Sequence, residues 1–322
     1  NMFICMDATT DQNEWNNVGV GTGDVVYIPW TFGGTVSGYM AGGYPYTSTD
    51  IESISFTSDG NSVTVSGSLT SSPNGSYAHA NASSTTHGYL AGGFGPGNLD
   101  KVDKYNFSTN NNMVTVANLS VANDDPTGNN SETHGYSANG RVGGSRTNSI
   151  EKYAFASDST TSGHGTTVVA SMSQSGQSST THGYTSGGHD GTGSISSIDQ
   201  YSFASDNQGV SYTTMTANEF YFCGHSSSTH GYSSGGNYST GTNIIERFSF
   251  SSTATSSDHG VLSTSRYGCA GNSSITNGYT SGGASSSGDR NTIDKFSFAS
   301  NTTASSIGNI STARKYGSGL HY

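Results

Sequence analysis

The chain is patterned as short segments that mix apolar and polar residues, with no long stripe of helical spacing. One segment is built on a Gly-Tyr dipeptide, and in five of six copies Gly-Gly follows three residues after the tyrosine. The copies recur every 47 to 50 residues, and their first glycines are Gly38, Gly88, Gly135, Gly183, Gly231 and Gly278. Repetition at such a period indicates an architecture made of stacked structural repeats.

A second signature, Ile-(Asp/Glu)-(Lys/Gln/Arg)-(Tyr/Phe)-x-Phe, follows each Gly-Tyr segment, and residues 150–155 form a full copy. Side chains alternate along a strand, so Tyr153 and Phe155 are predicted on one face and Ile150 and Ala154 on the other. A strand with apolar residues on both faces is buried on both. The pattern therefore predicts sheets that are sandwiched between neighbouring sheets.

Two further segments complete each unit. One is a large aliphatic residue followed by Ser or Thr, and its copies begin at Leu69, Leu119, Met172, Met215, Leu262 and Ile310. The other precedes each Gly-Tyr pair, as in residues 266–271. Four short strands in about 48 residues is the size of one blade of a β-propeller.

The two ends of the repeat region complement each other. The first unit begins at its Gly-Tyr pair and lacks the preceding segment, whereas an extra segment, residues 313–320, follows the last unit. We therefore predict an all-β, six-bladed propeller over residues 36–322, with four strands per blade and the C-terminal strand completing the first blade. Residues 1–35 are predicted to be a short N-terminal extension. Closure of this kind removes exposed sheet edges.

The composition fits a thin core that depends on aromatic rings. Of 322 residues, 30% are hydrophobic, 11% are aromatic, 10% are charged and 45 are glycines. The 11 basic residues are scattered, so nucleic acid is not an expected partner. No stretch approaches 18 consecutive apolar residues, so membrane insertion through a helix is not expected.

Histidines and cysteines offer candidate metal or redox chemistry. His precedes Gly-Tyr in four copies, at His87, His134, His182 and His230. A metal-binding ring is one interpretation, and local bonding within a hairpin turn is the other. The second is favoured because Ser and Asn stand at this position in the other copies. Cys223 and Cys269 lie in equivalent segments of adjacent blades, which we expect to be farther apart than the ~7 Å that a disulfide spans. No metal and no cofactor are predicted.

Catalytic signatures are weak. Asp59, Asp158 and Asp206 lie in turns that faintly resemble the turn motifs of sialidases, but the tryptophan of that motif is missing. The arginines are also spread over several blades. The sequence therefore predicts a protein that is not an enzyme.

The loops that vary between repeats are the candidate binding residues, because loops on a rigid scaffold commonly carry function. Tyr and Arg are favoured anchors of interfaces. The residues predicted to bind on this basis are Tyr44, Tyr46, Arg141, Arg146, Tyr238 and Arg290 after the Gly-Gly pairs, and Tyr221 and Arg266 in the segments that precede the Gly-Tyr strands. The two tryptophans, Trp15 and Trp30, are predicted to dock the N-terminal extension on a partner.

The order of a strand ending in Gly-Gly and a strand with aromatic residues resembles the repeats of kelch-type propellers, as in residues 184–188 and 198–203. The resemblance implies that the segment before Gly-Tyr is the innermost strand. It also implies that the loops after Gly-Gly share one face with the loops that enter that strand. The tryptophan of the last kelch strand has no counterpart within these blades.

Residues 179–188 and 293–300 resemble the Ser/Thr/Gly-rich repeats of tail-fibre-like and other structural proteins of marine tailed phages, especially cyanophages. This resemblance implies a location on the virion surface, outside the host cell, and attachment to a host surface glycan or protein. Other virion proteins are expected to bind the N-terminal segment, with several copies of the chain on each particle. A purely structural role in tail, neck or head and a polysaccharide hydrolase are the alternatives.

Overall fold

The computed structural model describes residues 3–7, 14–17, 32–45, 49–70 and 75–322. It divides the chain into two units, Asn1–Thr31 and Phe32–Tyr322. The first unit contains an antiparallel pair, β1 (Phe3–Asp7) and β2 (Glu14–Asn17), in which Cys5 pairs with Trp15. The regular secondary structure of the described residues consists of β-strands, with no helix.

The second unit contains six four-stranded antiparallel sheets, which are the six blades. Blade 1 consists of β3 (Ser37–Ala41), β4 (Asp50–Ser55), β5 (Val63–Ser68) and, innermost, the C-terminal strand. Blade 2 consists of β6 (Ala80–Ser83), β7 (His87–Ala91), β8 (Lys101–Asn106) and β9 (Val114–Asn118). Blade 3 consists of β10 (Thr127–Asn130), β11 (His134–Ala138), β14 (Ser149–Ala154) and β15 (Ser162–Thr166), with a side hairpin of β12 (Arg141–Val142) and β13 (Ser145–Arg146).

The other three blades repeat this order. Blade 4 consists of β16 (Ser175–Ser178), β17 (His182–Ser186), β18 (Ser197–Ser202) and β19 (Val210–Thr214). Blade 5 consists of β20 (Phe222–Ser226), β21 (His230–Gly235), β22 (Thr242–Ser249) and β23 (Ser257–Arg266). Blade 6 consists of β24 (Ala270–Ser273), β25 (Asn277–Ser281), β28 (Thr292–Ser297) and β29 (Ser305–Asn309), with a side hairpin of β26 (Ala284–Ser285) and β27 (Gly288–Asp289).

The last strand, β30 (Ser318–His321), closes the ring. It pairs antiparallel with β3, so that Gly38 lies opposite His321 and Ala41 opposite Ser318. The innermost strands of neighbouring blades contact one another around the whole circle. The predicted six-bladed propeller and its closure by the C-terminal strand are therefore confirmed.

One aromatic stack joins each blade to the next. The tyrosine of every Gly-Tyr pair stacks on the last phenylalanine of the second signature of the following blade, with ring centroids 4.7 to 4.9 Å apart. The six pairs are Tyr39–Phe107, Tyr89–Phe155, Tyr136–Phe203, Tyr184–Phe250, Tyr232–Phe298 and Tyr279–Phe56. Such stacks explain how a chain with few aliphatic residues holds its blades together.

The acidic residue of the second signature binds the end of the preceding blade. Glu151 accepts hydrogen bonds from the Ser120 backbone N–H at 2.8 Å and from its hydroxyl at 2.9 Å. Ser263 binds Asp294 in the same way. This contact explains why Ser or Thr follows the large aliphatic residue. The prediction that Met172 belongs to the aliphatic-Ser/Thr signature is wrong. In blade 3, Thr167 holds the position of the large aliphatic residue, and the backbone N–H groups of Val168 and Val169 donate to the carboxylate of Asp199.

Candidate functional site

Six equivalent residues stand where the chain enters each innermost strand. They all have left-handed backbone conformations, with φ between 51° and 62°, and they are Ala78, Asp125, Ser173, Tyr221, Gly268 and Tyr316. Their backbone groups form most of a ring around the axis. For example, the Tyr221 N–H donates to Ser173 O at 2.9 Å and the Gly268 N–H donates to Tyr221 O at 2.7 Å. Positive φ is uncommon for residues other than glycine, and here it directs the side chains of one repeat position to a common end of the axis.

The loops after Gly-Gly meet these entry segments. Isolated antiparallel bridges join Tyr44 to Lys315, Tyr77 to Phe94, Asp124 to Arg141, Met172 to His189 and Tyr267 to Ala284. The prediction that both sets of loops share one face of the propeller is therefore confirmed. The backbone pairing also fixes the loop side chains relative to the axis.

A basin of about 370 Å³ lies at this end of the axis. We call it the axial basin, and its lining residues are Tyr44, Tyr77, Phe94, Asp124, Asp125, Arg141, Tyr221, Tyr238, Lys315 and Tyr316. Six of these ten residues are aromatic. The size falls within the range of small-molecule sites.

The aromatic rings of the axial basin form a connected surface. Tyr77 contacts both Phe94 and Tyr316, with centroids 5.6 and 5.8 Å apart. Tyr316 in turn contacts Tyr221 at 5.0 Å, and Tyr221 contacts Tyr238 at 5.5 Å. Tyr238 is 50% exposed, so a ligand can reach its side chain.

Lys315 is held among three of these rings. Its Nζ lies 5.5 Å from the ring centroids of Tyr44 and Tyr267 and 5.6 Å from that of Tyr316. Its ionic partner, Asp289, is 3.8 Å away. Cation–π contact therefore orients the ammonium group at the rim of the basin.

Blade 3 provides the polar wall. The Nε of Arg141 lies 3.1 Å from both carboxylate oxygens of Asp124, and the Arg141 NH2 group completes the ion pair. The neighbouring Asp125 is half-buried and receives a 3.4 Å hydrogen bond from the Tyr221 hydroxyl. Burial, together with the charge of Asp124, raises the pKa of Asp125 to about 6. One wall therefore offers a fixed ion pair and a carboxyl group with a pKa of about 6.

Apart from Arg266, the predicted binding residues divide into three groups. Tyr44, Arg141, Tyr221 and Tyr238 line the axial basin together. Arg146 and Arg290 do not line it: Arg146 lies 3.3 Å from the His189 ring, and Arg290 donates to the Ser285 hydroxyl at 2.8 Å. Tyr46 lies outside the described residues.

The prediction that Arg266 binds a ligand is wrong. Its side chain is fully buried and bonds Asp294 at 3.1 Å, together with the backbone oxygens of Gly282 and Thr292. Arg266 joins the end of β23 to blade 6, and its side chain is not exposed to a ligand. Of the two predicted docking residues, Trp15 lies in β2 and Trp30 lies outside the described residues.

Six residues of the axial basin are not among the predicted binding residues: Tyr77, Phe94, Asp124, Asp125, Lys315 and Tyr316. A signal was present, because Tyr77, Asp124, Met172, Phe220, Tyr267 and Lys315 recur every 47 or 48 residues just before the left-handed positions. This register is visible only when the repeats are aligned, because residue type within one loop does not reveal it.

The histidines before Gly-Tyr bond within their own turns. The Nδ1 of His182, for example, lies 2.8 Å from the Thr181 hydroxyl, and the backbone N–H of His182 donates to the Ser179 hydroxyl at 3.0 Å. The same contacts recur at His87, His134 and His230. The interpretation of local bonding in the turn is thus confirmed.

The aspartates in the turns join neighbouring blades through ion pairs. Asp158 pairs with Lys104 and Asp206 with Lys152, at 2.8 and 2.6 Å. Asp59 pairs with Lys295 at 2.5 Å. They lie in the turns between the third and fourth strands of their blades, where they make contacts between blades.

Comparisons with known proteins leave the structure as the main guide to function. No protein-family model matches the chain, and no curated protein matches it. No helix among the described residues is long and apolar enough to cross a membrane. The fold is therefore defined by the six sheets themselves, and the axial basin is the strongest candidate for a functional site.

Proposed function

We propose that the protein is a non-enzymatic adhesin that binds a neutral saccharide in the axial basin, on the surface of a tailed phage particle. The observation that carries the proposal is the meeting of a connected aromatic surface with the Asp124–Arg141 ion pair. Aromatic rings cover the apolar face of a sugar ring, and an oriented ion pair donates to and accepts from adjacent hydroxyl groups.

The charges of the axial basin favour a neutral ligand. Among its lining residues two are acidic, Asp124 and Asp125, and two are basic, Arg141 and Lys315. Each basic group already has an anionic neighbour, because Arg141 pairs with Asp124 and Lys315 lies near Asp289. An acidic polysaccharide would have to compete with these carboxylates for the cations.

The virion location is supported by the resemblance of residues 179–188 and 293–300 to the repeats of phage structural proteins. The kelch-like order of the strands supports the choice of the loop face as the binding face. A shallow site gives modest affinity for one copy, and many copies on one particle raise avidity. Antibodies against the propeller are expected to label the surface of purified particles, and absence of label would contradict this location.

The binding proposal is tested with the double variant Tyr44→Ala/Tyr238→Ala on a glycan array. Both rings are substantially exposed, at 39% and 50%, so their loss leaves the core intact. We expect wild-type protein to bind neutral glycans and the variant to bind at least about tenfold more weakly, since truncation of an anchor often costs more than 1 kcal/mol.

A matched control is Val63→Ala/Val210→Ala, which removes two exposed apolar side chains, at 66% and 57%, from outer strands. It is expected to bind as the wild type does. Lys315→Ala and Lys152→Ala form a second pair, of which only the first removes a basin residue. Equal binding by all folded variants would contradict the basin as the site. Absence of binding by the wild type would favour a purely structural role.

A second candidate function is polysaccharide hydrolysis, because Asp125 has the raised pKa that a general acid needs and lies in the same basin. Release of reducing sugar from a bound glycan, lost in Asp125→Asn while binding remains, would support this candidate. Binding without release supports the adhesin.

A further inference from the structure

Two thiols from neighbouring blades meet beside the axis. Cys223 lies in β20, the innermost strand of blade 5, and Cys269 directly precedes β24, the innermost strand of blade 6. Their Sγ atoms are 3.0 Å apart, with the Cys269 S–H directed at Cys223. The expectation that adjacent inner strands hold these thiols apart is wrong. Close backbone approach is possible because Gly271 packs directly against Gly224.

A base is positioned beside one of the thiols. The Nδ1 of His225 lies 3.0 Å from the backbone oxygen of Asn272, an acceptor, so Nδ1 carries a proton. In the neutral ring Nε2 then has the free lone pair, and it lies 3.6 Å from the Sγ of Cys223. The Ser234 hydroxyl lies 3.2 Å from the same sulfur and 2.9 Å from Nε2. His225 can therefore accept the proton of Cys223.

The two thiols differ in acidity. Burial raises the pKa of Cys223, but the Cys269 S–H bond and His225 outweigh burial and hold this pKa well below its usual value. The bond to Cys223 and burial raise the pKa of Cys269. This asymmetry is that of an attacking thiolate and a resolving thiol.

The pair borders a cavity near the axis. Both cysteines line a cavity of about 100 Å³ around the axis. This cavity shares Asp125, Tyr221 and Tyr316 with the axial basin. It is large enough for a molecule the size of water or hydrogen peroxide.

We propose that Cys223 and Cys269 form a disulfide between blades 5 and 6 when the protein meets a hydroperoxide. His225 takes the proton of Cys223, and the thiolate attacks one peroxide oxygen, which breaks the O–O bond and gives a sulfenic acid. The leaving hydroxide takes the proton back from His225 and becomes water. Cys269 then loses its proton and attacks the sulfenic sulfur, so that hydroxide leaves and is protonated to water. Two thiols are oxidised by two electrons, and hydrogen peroxide is reduced to two waters.

Metal binding fits these thiols less well. Two thiolates on one tetrahedral Zn²⁺, each at about 2.3 Å, stand nearly 4 Å apart, whereas these sulfurs are 3.0 Å apart. In the part of the chain that the structure describes, no group of three or more His, Cys, Asp or Glu residues is arranged to hold a metal ion.

The proposal is tested in a Cys5→Ser background, so that thiol counts report only this pair. Reduced protein is treated with one equivalent of hydrogen peroxide, denatured and digested without reductant. We expect loss of both free thiols, a peptide cross-linked between Cys223 and Cys269, and a melting temperature higher by roughly 5 °C. Retention of two thiols, oxidation to sulfinic acid without a cross-link, or stoichiometric Zn²⁺ binding by the reduced protein would overturn the proposal.

Single variants separate the roles. Cys269→Ser is expected to stop at the sulfenic acid, which dimedone labels at Cys223, whereas Cys223→Ser is expected to leave Cys269 unlabelled. His225→Gln is expected to slow the cross-link at neutral pH, with recovery at higher pH, where the thiol ionises unaided. Labelling of Cys269 in place of Cys223 would overturn the assigned order of attack.

Discussion

The six left-handed positions where the chain enters the innermost strands have the same backbone conformation in every blade. The side chain at each of these positions therefore determines which groups face a ligand in the axial basin. Ala78, Ser173 and Gly268 leave room near the axis, whereas Tyr221 and Tyr316 fill it with rings that are 5.0 Å apart. Asp125 places a carboxyl group among them. The site is therefore asymmetric although the backbone repeats. The small residues at these positions on some blades leave space for a ligand.

Asp125 also makes stability depend on pH. Its pKa is raised from 3.8 to about 6 in the folded protein, so the folded state favours the protonated carboxyl. This contribution to stability is complete below the unfolded pKa, near pH 4, and is lost as pH rises through about 6. We expect Asp125→Asn to gain up to about 3 kcal/mol relative to wild type between pH 4 and pH 7.

Urea unfolding of both proteins across this pH range measures the difference. Glu219, whose pKa burial raises to about 7, titrates in the same interval in both proteins and cancels in the comparison. Parallel stability curves for the two proteins would contradict the assigned environment of Asp125.

At the scale of the strand, glycine brings the blades together. Gly128, Gly176, Gly224, Gly271 and Gly319 occupy one position of the inner strands, and a Cβ at Gly224 would collide with the backbone oxygen of Gly176. Asn81 occupies this position in blade 2, and its side-chain amide donates to Gly319 O at 2.6 Å. The innermost strands thus pack around the axis through backbone contacts rather than through apolar side chains.

We expect Gly224→Ala to destabilise the protein by about 2–4 kcal/mol, because the collision is with backbone rather than with a flexible side chain. Gly163→Ala is the matched control: Gly163 also lies in a strand, but a Cβ there meets no atom within 4 Å. Thermal melts followed by circular dichroism compare the two. Equal melting temperatures would show that the inner strands can move apart at little cost.

The strands and their order could be predicted from the sequence because each blade repeats the same four signatures. The Ile150 and Tyr153 faces, for instance, pack on opposite neighbours, as alternation predicts. The axial basin was predicted only in part, since its geometry depends on backbone conformation at positions such as Tyr316 and on pairing between distant segments. Arg266 shows the limit: its residue type suited an interface, but Asp294, 28 residues away, holds it in the core.

At the scale of the whole molecule, closure depends on ten residues at the C-terminus. The strand β30 completes blade 1, and Leu320 packs in a core cluster with Tyr39 and Tyr105. The end of the chain also contacts the start of the propeller unit, because the Val36 N–H donates to Tyr322 O at 2.7 Å and the Phe32 and His321 rings are 4.7 Å apart. The ring is thus joined by non-covalent contacts at a single blade.

Deleting residues 313–322 is therefore expected to expose the edge of β3 and the facing side of β24, and so to cause aggregation and loss of a cooperative unfolding transition.

A permuted chain provides the control. It places residues 313–322 ahead of Phe32 through a short glycine linker, which the proximity of Phe32 and His321 allows. The propeller unit keeps all its side chains, but β30 and β3 become neighbours in sequence, as the two innermost strands are in every other blade. We expect this chain to unfold cooperatively near the wild-type temperature. A monomeric, cooperatively folded deletion variant would show that five complete blades and one three-stranded sheet suffice, and would contradict the role assigned to closure.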